Sequence, residues 1–252
     1  MTVWIGTSWK MNKTRAEAAE YARVLDSTKM PDDTIAFVVP AFTSIDVVRG
    51  VLGHHENLLI GAQNGHWEAA GAWTGELSMS MIKDAGAELV TLGHSERREH
   101  FGETDETVNL KVHAALAAGI RPLVCVGEPI SMRSMKESVD WVLGQVDGAL
   151  AGLDSVEASR VLIAYEPIWA IGNGRRSAKP KEISPMHRAI AEWATTNDKR
   201  PAALLYGGSV TEQNAAEIIA VPNVDGLFVG RAGWDADSFQ RLIAIAGKQG
   251  VL

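Results

Sequence analysis

The chain has 252 residues, 46% of them hydrophobic and 22% charged, with a formal net charge of -7 at pH 7. That composition excludes a disordered chain and can fill a sizeable core, while the acidic balance and the lack of any Lys/Arg run exclude a nucleic-acid-binding face. A single cysteine, Cys125, excludes an intramolecular disulfide framework and fits a reducing compartment. No segment approaches the roughly 18 apolar residues of a membrane span.

In chain order, the opening MTVWIGTSWK carries no charged stretch followed by an apolar one, so no targeting segment is expected and the cytoplasm is the expected location. Short β-rich runs then recur at Trp4–Ser8, Thr34–Val39, Leu58–Ala62, Leu89–Leu92, Arg121–Val126, Val161–Tyr165, Ala203–Tyr206 and Gly226–Val229. Each is nearly continuous in apolar residues, as a strand buried on both faces should be, and each is followed by a stretch with helical spacing. Thr14-Arg15-Ala16-Glu17 reads as a capping box, after which Ala18, Tyr21, Ala22 and Leu25 form one apolar stripe. Ser184-Pro185 reads as a cap residue before a first-turn proline. No linker, low-complexity tract or charge block divides the chain, and no GxGxxG follows the first strand. Eight βα units in about 250 residues predict a single-domain (β/α)8 barrel over residues 1–252, in preference to an open doubly wound sheet.

Such barrels collect their chemistry at the C-terminal ends of the strands. There the sequence places Ser8-Trp9-Lys10, Gly93-His94-Ser95-Glu96-Arg97-Arg98, Glu166-Pro167, Gly207-Gly208-Ser209 and Gly230-Arg231. A lysine after a strand can be a plain surface charge, and a lone histidine a satisfied structural residue. In this position Lys10 can instead neutralise a phosphate or a developing enolate, and Gly93 before His94 suggests a tight turn that presents the ring to a cavity. Glu166 follows an apolar run and precedes a proline that favours extended backbone; a carboxylate there is disfavoured unless it works or is paired. Ile171-Gly172-Asn173-Gly174-Arg175 reads either as a surface turn or as a hinged, water-excluding lid. The glycines after strands seven and eight allow a ligand close to backbone N–H groups, a known phosphate-binding use of these loops.

Trp9-Lys10-Met11-Asn12, Gly93–Arg98, Cys125-Val126-Gly127-Glu128, Tyr165–Gly172 and Tyr206–Val210 resemble the motifs of triosephosphate isomerase, in order and spacing over essentially the whole chain. The resemblance implies a cofactor-free, metal-free isomerase of the aldose–ketose class. In it Glu166 moves a proton between adjacent carbons through a cis-enediolate, neutral His94 polarises the carbonyl, and Lys10 supplies positive charge. Glu96, with Ser95, would orient His94 and Lys10. Gly172, Ser209 and Gly230 would hold the phosphate. The family's members are usually dimers, and Gln63-Asn64 with Gly71–Glu76 resemble the loop that reaches a neighbouring subunit, around Trp73 and Thr74.

Three positions depart from the family pattern. Ser8 stands where asparagine is usual, Arg231 replaces the second glycine of the strand-eight loop, and Phe228 replaces a leucine. The Gly-Thr-Ser-Trp-Lys opening and the Gly-Arg-Ala ending resemble the branch that isomerises four-carbon ketose phosphates. The expected substrate is therefore an erythrulose (tetrulose) phosphate, with Ser8 and Arg231 at the substrate. The alternatives are a housekeeping triosephosphate isomerase and a non-catalytic sugar-phosphate sensor.

Overall fold

The computed structural model describes residues 2–129, 131–132, 134–172 and 176–249. Strands β1 (Val3–Ser8), β2 (Thr34–Val39), β3 (Leu58–Ala62), β4 (Leu89–Leu92), β5 (Arg121–Val126), β6 (Leu162–Tyr165), β7 (Ala203–Tyr206) and β8 (Gly226–Val229) run parallel in chain order. The barrel closes where Trp4 to Thr7 of β1 pair with Gly226 to Val229 of β8. Relative to the sequence reading, β1 gains Val3 and β6 loses Val161, whose carbonyl instead accepts the N–H of Ala202.

The apolar runs are continuous because the strands have two dry faces. Trp4, Phe37, Leu89, Leu123, Leu162, Leu205 and Phe228 belong to one buried cluster, which fills the barrel interior. Ile5, Val38, Val90, Val124, Ile163 and Leu227, their alternates, belong to a second cluster that includes the buried faces of the surrounding helices. Inside the barrel, space is tight. A Cβ on Gly6 would lie 2.0 Å from the ring of Phe37, its register partner on β2, so that position tolerates only glycine.

The helix Arg15–Asp26 starts as its sequence predicts. Thr14 caps it, Glu17 reaches back to the Thr14 N–H at 2.7 Å, and Ala18, Tyr21, Ala22 and Leu25 are buried. The Ser184-Pro185 reading is corrected. The helix runs Pro180–Thr196, so Pro185 lies inside it. The stronger start signal is Lys179-Pro180-Lys181-Glu182, with proline at the first helical position and the Glu182 carboxylate accepting the Lys179 N–H at 2.9 Å. No helix among the described residues is long and apolar enough to cross a membrane.

Candidate active site

Ser8, Lys10, His94, Glu96, Glu166, Gly172, Ser209, Gly230 and Arg231, drawn from distant parts of the sequence, all line one cavity of about 460 Å³ at the C-terminal ends of the strands. Phe228, the third departure from the family pattern, lines it too. Asn173, Gly174 and Arg175 of the expected lid lie outside the described residues; Ile171 and Gly172, with Gly172 at φ 105°, border the cavity.

Glu166 leaves β6 directly and is 3% exposed. Its backbone is pinned, with its N–H donating to the Val126 carbonyl at 2.7 Å. A Cβ on Gly127 would come within 2.0 Å of the Glu166 carbonyl oxygen, and one on Gly207 within 2.8 Å of its Cγ. The carboxylate accepts the Ser95 N–H at 3.5 Å through Oε2, and its Oε1 lies 3.4 Å from His94 Nε2. Below it, the Cys125 thiol is held well above its usual pKa by burial, by the Glu166 charge and by a hydrogen bond to Glu166.

His94 sits at the N-cap of the helix Ser95–Phe101, where its Nδ1 accepts the Glu96 N–H at 3.2 Å. An accepting Nδ1 has no proton, which assigns the proton of a neutral ring to Nε2, the nitrogen that faces Glu166. The turn before it is fixed from both sides. Gly93, at φ 69°, donates its N–H to Glu103 at 2.9 Å and accepts Arg98 Nε at 2.8 Å on its carbonyl.

Lys10 follows β1 in a left-handed conformation at φ 53°, unusual for a residue with a side chain. Gln63 Nε2 donates to its carbonyl at 2.7 Å and to that of Val39 at 3.2 Å. The ammonium meets Glu96 Oε1 at 2.6 Å. Burial pushes the Glu96 pKa up, but the hydrogen bond and charge of Lys10, with His94 and His100, pull it lower overall. Lys10 therefore faces a carboxylate that stays ionised.

The phosphate-loop expectation is refined at its helix. The helix after β7 is only Ala215–Ile219 and starts beyond Asn214, whose side chain bonds the Thr211 N–H and the Ser209 carbonyl. The N–H groups nearest the cavity thus belong to the loop 207–211 and to the single turn Arg231–Gly233 after β8. The loop between β3 and the helix Met79–Asp84 also divides. Gln63 and Asn64 are spent within their own chain, Gln63 on Lys10 and Asn64 on the Lys111 ammonium at 2.9 Å. Trp73 and Thr74 are exposed, Trp73 at 47%. The loop is ordered by a stack of Trp67, His66 and Trp73, with ring centroids 4.1 and 4.6 Å apart, and by the His66 N–H on the Leu77 carbonyl.

Two supporting groups were given no role by the sequence reading. Lys111 and Glu103 form a buried ion pair that fixes Gly93 from behind. The signal was available: Lys111 falls on the stripe Val108, Val112, Ala115 and Leu116 of the helix Asp105–Ala118, a face that has to be buried. Beside the short turn Ile168–Ala170, Glu128 accepts Trp169 Nε1 at 2.6 Å and the Tyr165 hydroxyl at 3.1 Å, and burial raises its pKa against those bonds.

A closed parallel barrel whose strand ends bring together a buried carboxylate, an imidazole and a lysine is an architecture suited to proton abstraction beside a carbonyl. Residues 3–246 match the family model for triosephosphate isomerase, and the chain belongs to that family of aldose–ketose isomerases. Its relatives include proteins named L-erythrulose-1-phosphate isomerase. That of Mycolicibacterium smegmatis is 48% identical over 97% of this chain and 93% of its own length. That of Rhizobium etli is 47% identical over 97% and 92%, and that of Brucella abortus 44% identical over 96% and 95%.

Proposed function

We propose that this protein isomerises an erythrulose phosphate, with Glu166 as the base, His94 as the electrophile and Lys10 as the cation that stabilises the oxyanion. The observation that carries this reading is the shared cavity. The acid–base set lies there beside Ser8, Phe228 and Arg231, the departures from the triose pattern, and the relatives named for L-erythrulose 1-phosphate support it.

On such a substrate the carbonyl is at C2 and C1 carries the phosphate. Glu166 removes the C3 proton, and the C–H electron pair forms the C2–C3 double bond as the carbonyl pair moves to oxygen. The Nε2–H of His94 donates to that oxygen, and the Lys10 ammonium offsets its charge. His94 gives its Nε2 proton to the C2 oxygen and takes up the C3 hydroxyl proton, so return of the carbon-bound proton to C2 leaves a hydroxyl at C2 and the carbonyl at the former C3. No electron leaves the substrate and no cofactor enters the balance. Glu96 holds the Lys10 ammonium in place through their 2.6 Å bond. Backbone N–H groups near Gly172, Ser209 and Gly230 take the phosphate. Serine at position 8 leaves room for the additional hydroxymethyl group, and Arg231 supplies a fork of donors to the substrate.

We also place the enzyme in the cytoplasm, where the unpaired, buried Cys125 thiol is stable, and assign it a homodimer through the loop carrying Trp73 and Thr74. Exposure of Met11, Trp73, Met81 and Phe101, on segments that follow β1, β3 and β4, supports a partner there.

The test is kcat/KM on erythrulose 1-phosphate and on dihydroxyacetone phosphate. A site that bonds an extra hydroxyl can reject an analogue lacking it by about 10⁴-fold, whereas apolar room alone gives roughly 10 to 200-fold. The tetrulose phosphate should be preferred, and the pair Ser8→Asn with Arg231→Gly should move the ratio toward the triose. Turnover of triose phosphates near the diffusional ceiling of about 10⁸ to 10⁹ M⁻¹s⁻¹, without turnover of the tetrulose, would leave the housekeeping activity in its place.

A further inference from the structure

The turn Arg231–Gly233 and the following Trp234 carry much of the cavity wall beyond β8. Its internal bonds are those of one 3₁₀ turn, Gly233 N–H to the Gly230 carbonyl at 2.9 Å and Trp234 N–H to the Arg231 carbonyl at 3.1 Å. Such a turn does not fix its own place relative to the opposite wall. Three bonds to the first βα unit do so. The Tyr21 hydroxyl donates to the Gly233 carbonyl at 2.6 Å, Lys13 Nζ donates to the Trp234 carbonyl at 2.7 Å, and Trp234 Nε1 donates to the Ser8 carbonyl at 2.9 Å.

The fit is close. A Cβ on Gly233 would lie 2.4 Å from Thr7 Oγ1, so the turn is seated against β1 with no room for a side chain. Lys13 is built into this seam: its backbone is left-handed at φ 73°, and its ammonium stands 4.9 Å over the Tyr21 ring and 5.4 Å over the Trp9 ring. Neither Lys13 nor Tyr21 lines the cavity of the acid–base set.

We infer that Lys13 and Tyr21 are positioning residues for substrate binding: acting through the carbonyls of Trp234 and Gly233, they hold the strand-eight turn, and with it Gly230 and Arg231, at a fixed distance from Ser8. A half-buried ammonium on two aromatic faces has few donors to spare for water. Burial lowers its pKa against the pull of Glu17 and Asp235, and its hydrogen bond goes to the Trp234 carbonyl. Removing it frees the turn at the point where the phosphate grip and the Arg231 fork are both anchored. The reacting carbons are served by Glu166, His94 and Lys10, none of which the clamp touches, so the loss falls on binding and not on the chemical step.

The inference rests on the proposed function for where the phosphate sits, and the test separates the two. Wild-type preference between erythrulose 1-phosphate and dihydroxyacetone phosphate tests the substrate; the ratio of variant to wild type, on whichever is preferred, tests the clamp. Lys13→Met keeps the apolar stem and removes the donor. It should raise KM about 10-fold, the worth of one charged hydrogen bond, with kcat within about 2-fold, and should weaken inhibition by inorganic phosphate by the same factor. Tyr21→Phe, which removes one oxygen from a buried ring, should raise KM about 3-fold and carries the test alone if Lys13→Met does not fold. Unchanged KM and unchanged phosphate inhibition in a folded variant would overturn the inference, and so would a fall in kcat at constant KM.

Discussion

Glu166→Asp separates the base from every other part of the site. The change withdraws the carboxylate by one C–C bond, about 1.5 Å, and the backbone is barred from following it. The Glu166 N–H is tied to the Val126 carbonyl at 2.7 Å, and the Gly127 and Gly207 backbones pack beside its carbonyl and its Cγ. The aspartate therefore stops short of the carbon it has to deprotonate. A misplacement of about 1 Å costs about 10²-fold in rate, so a fall in kcat of roughly 10² to 10³, equivalent to about 3 to 4 kcal/mol in the barrier, is expected. KM and inhibition by inorganic phosphate should stay within about 3-fold, because the loops around Ser209 and Gly230 are untouched. The assay is steady-state turnover together with exchange of substrate hydrogen in D₂O, which reports enediolate formation directly. A variant with kcat and exchange within 3-fold of wild type would remove Glu166 as the base. A variant with intact kcat and raised KM would make it a binding residue.

Two further outcomes follow from the structure. Trp73→Asp, which puts a charge at the tip of the aromatic stack on the exposed loop, should give monomers with impaired turnover, measured by light scattering and kcat; a fully active monomer would refute the subunit assignment. His187 is fully buried, with Nδ1 on the Asn223 carbonyl at 2.9 Å, and burial lowers its pKa from 6.5 to about 4 despite that bond. The unfolded chain therefore takes up its proton first as the pH falls. The folded state keeps its full margin above pH 6.5 and loses about 3 kcal/mol of it by pH 4, a loss that His187→Gln should largely abolish in urea titrations across that range.

How much of this was legible in the sequence depended on what sets each feature. Strand positions were, because both faces of a barrel strand are dry and leave a run such as Leu123-Val124-Cys125-Val126 with no polar interruption. The cavity-lining positions Lys10, His94 and Glu166 were legible for a related reason, since polar residues within two positions of the end of such a run lie at the mouth of the barrel. The helix start at Pro180 was less so. Two Pro signals compete within six residues, and only the reach of Glu182 back to Lys179 decides between them. The Lys111–Glu103 pair was hidden by the ordinary expectation that charges lie outside, although its position on an apolar stripe contradicted that expectation.

The features that would govern substrate choice are of another kind. Ser8 and Arg231 are separated by most of the chain, and sequence comparison treats them as two independent departures. In the folded barrel β1 and β8 are neighbours, and the Trp234 indole bridges from the Arg231 turn to the carbonyl of Ser8 itself at 2.9 Å. A smaller side chain at position 8 and an added cation at position 231 therefore alter two sides of one seam. Residues sharing such a contact do not contribute additively, so the single changes Ser8→Asn and Arg231→Gly should together move the substrate ratio by a factor that is not the product of their separate effects.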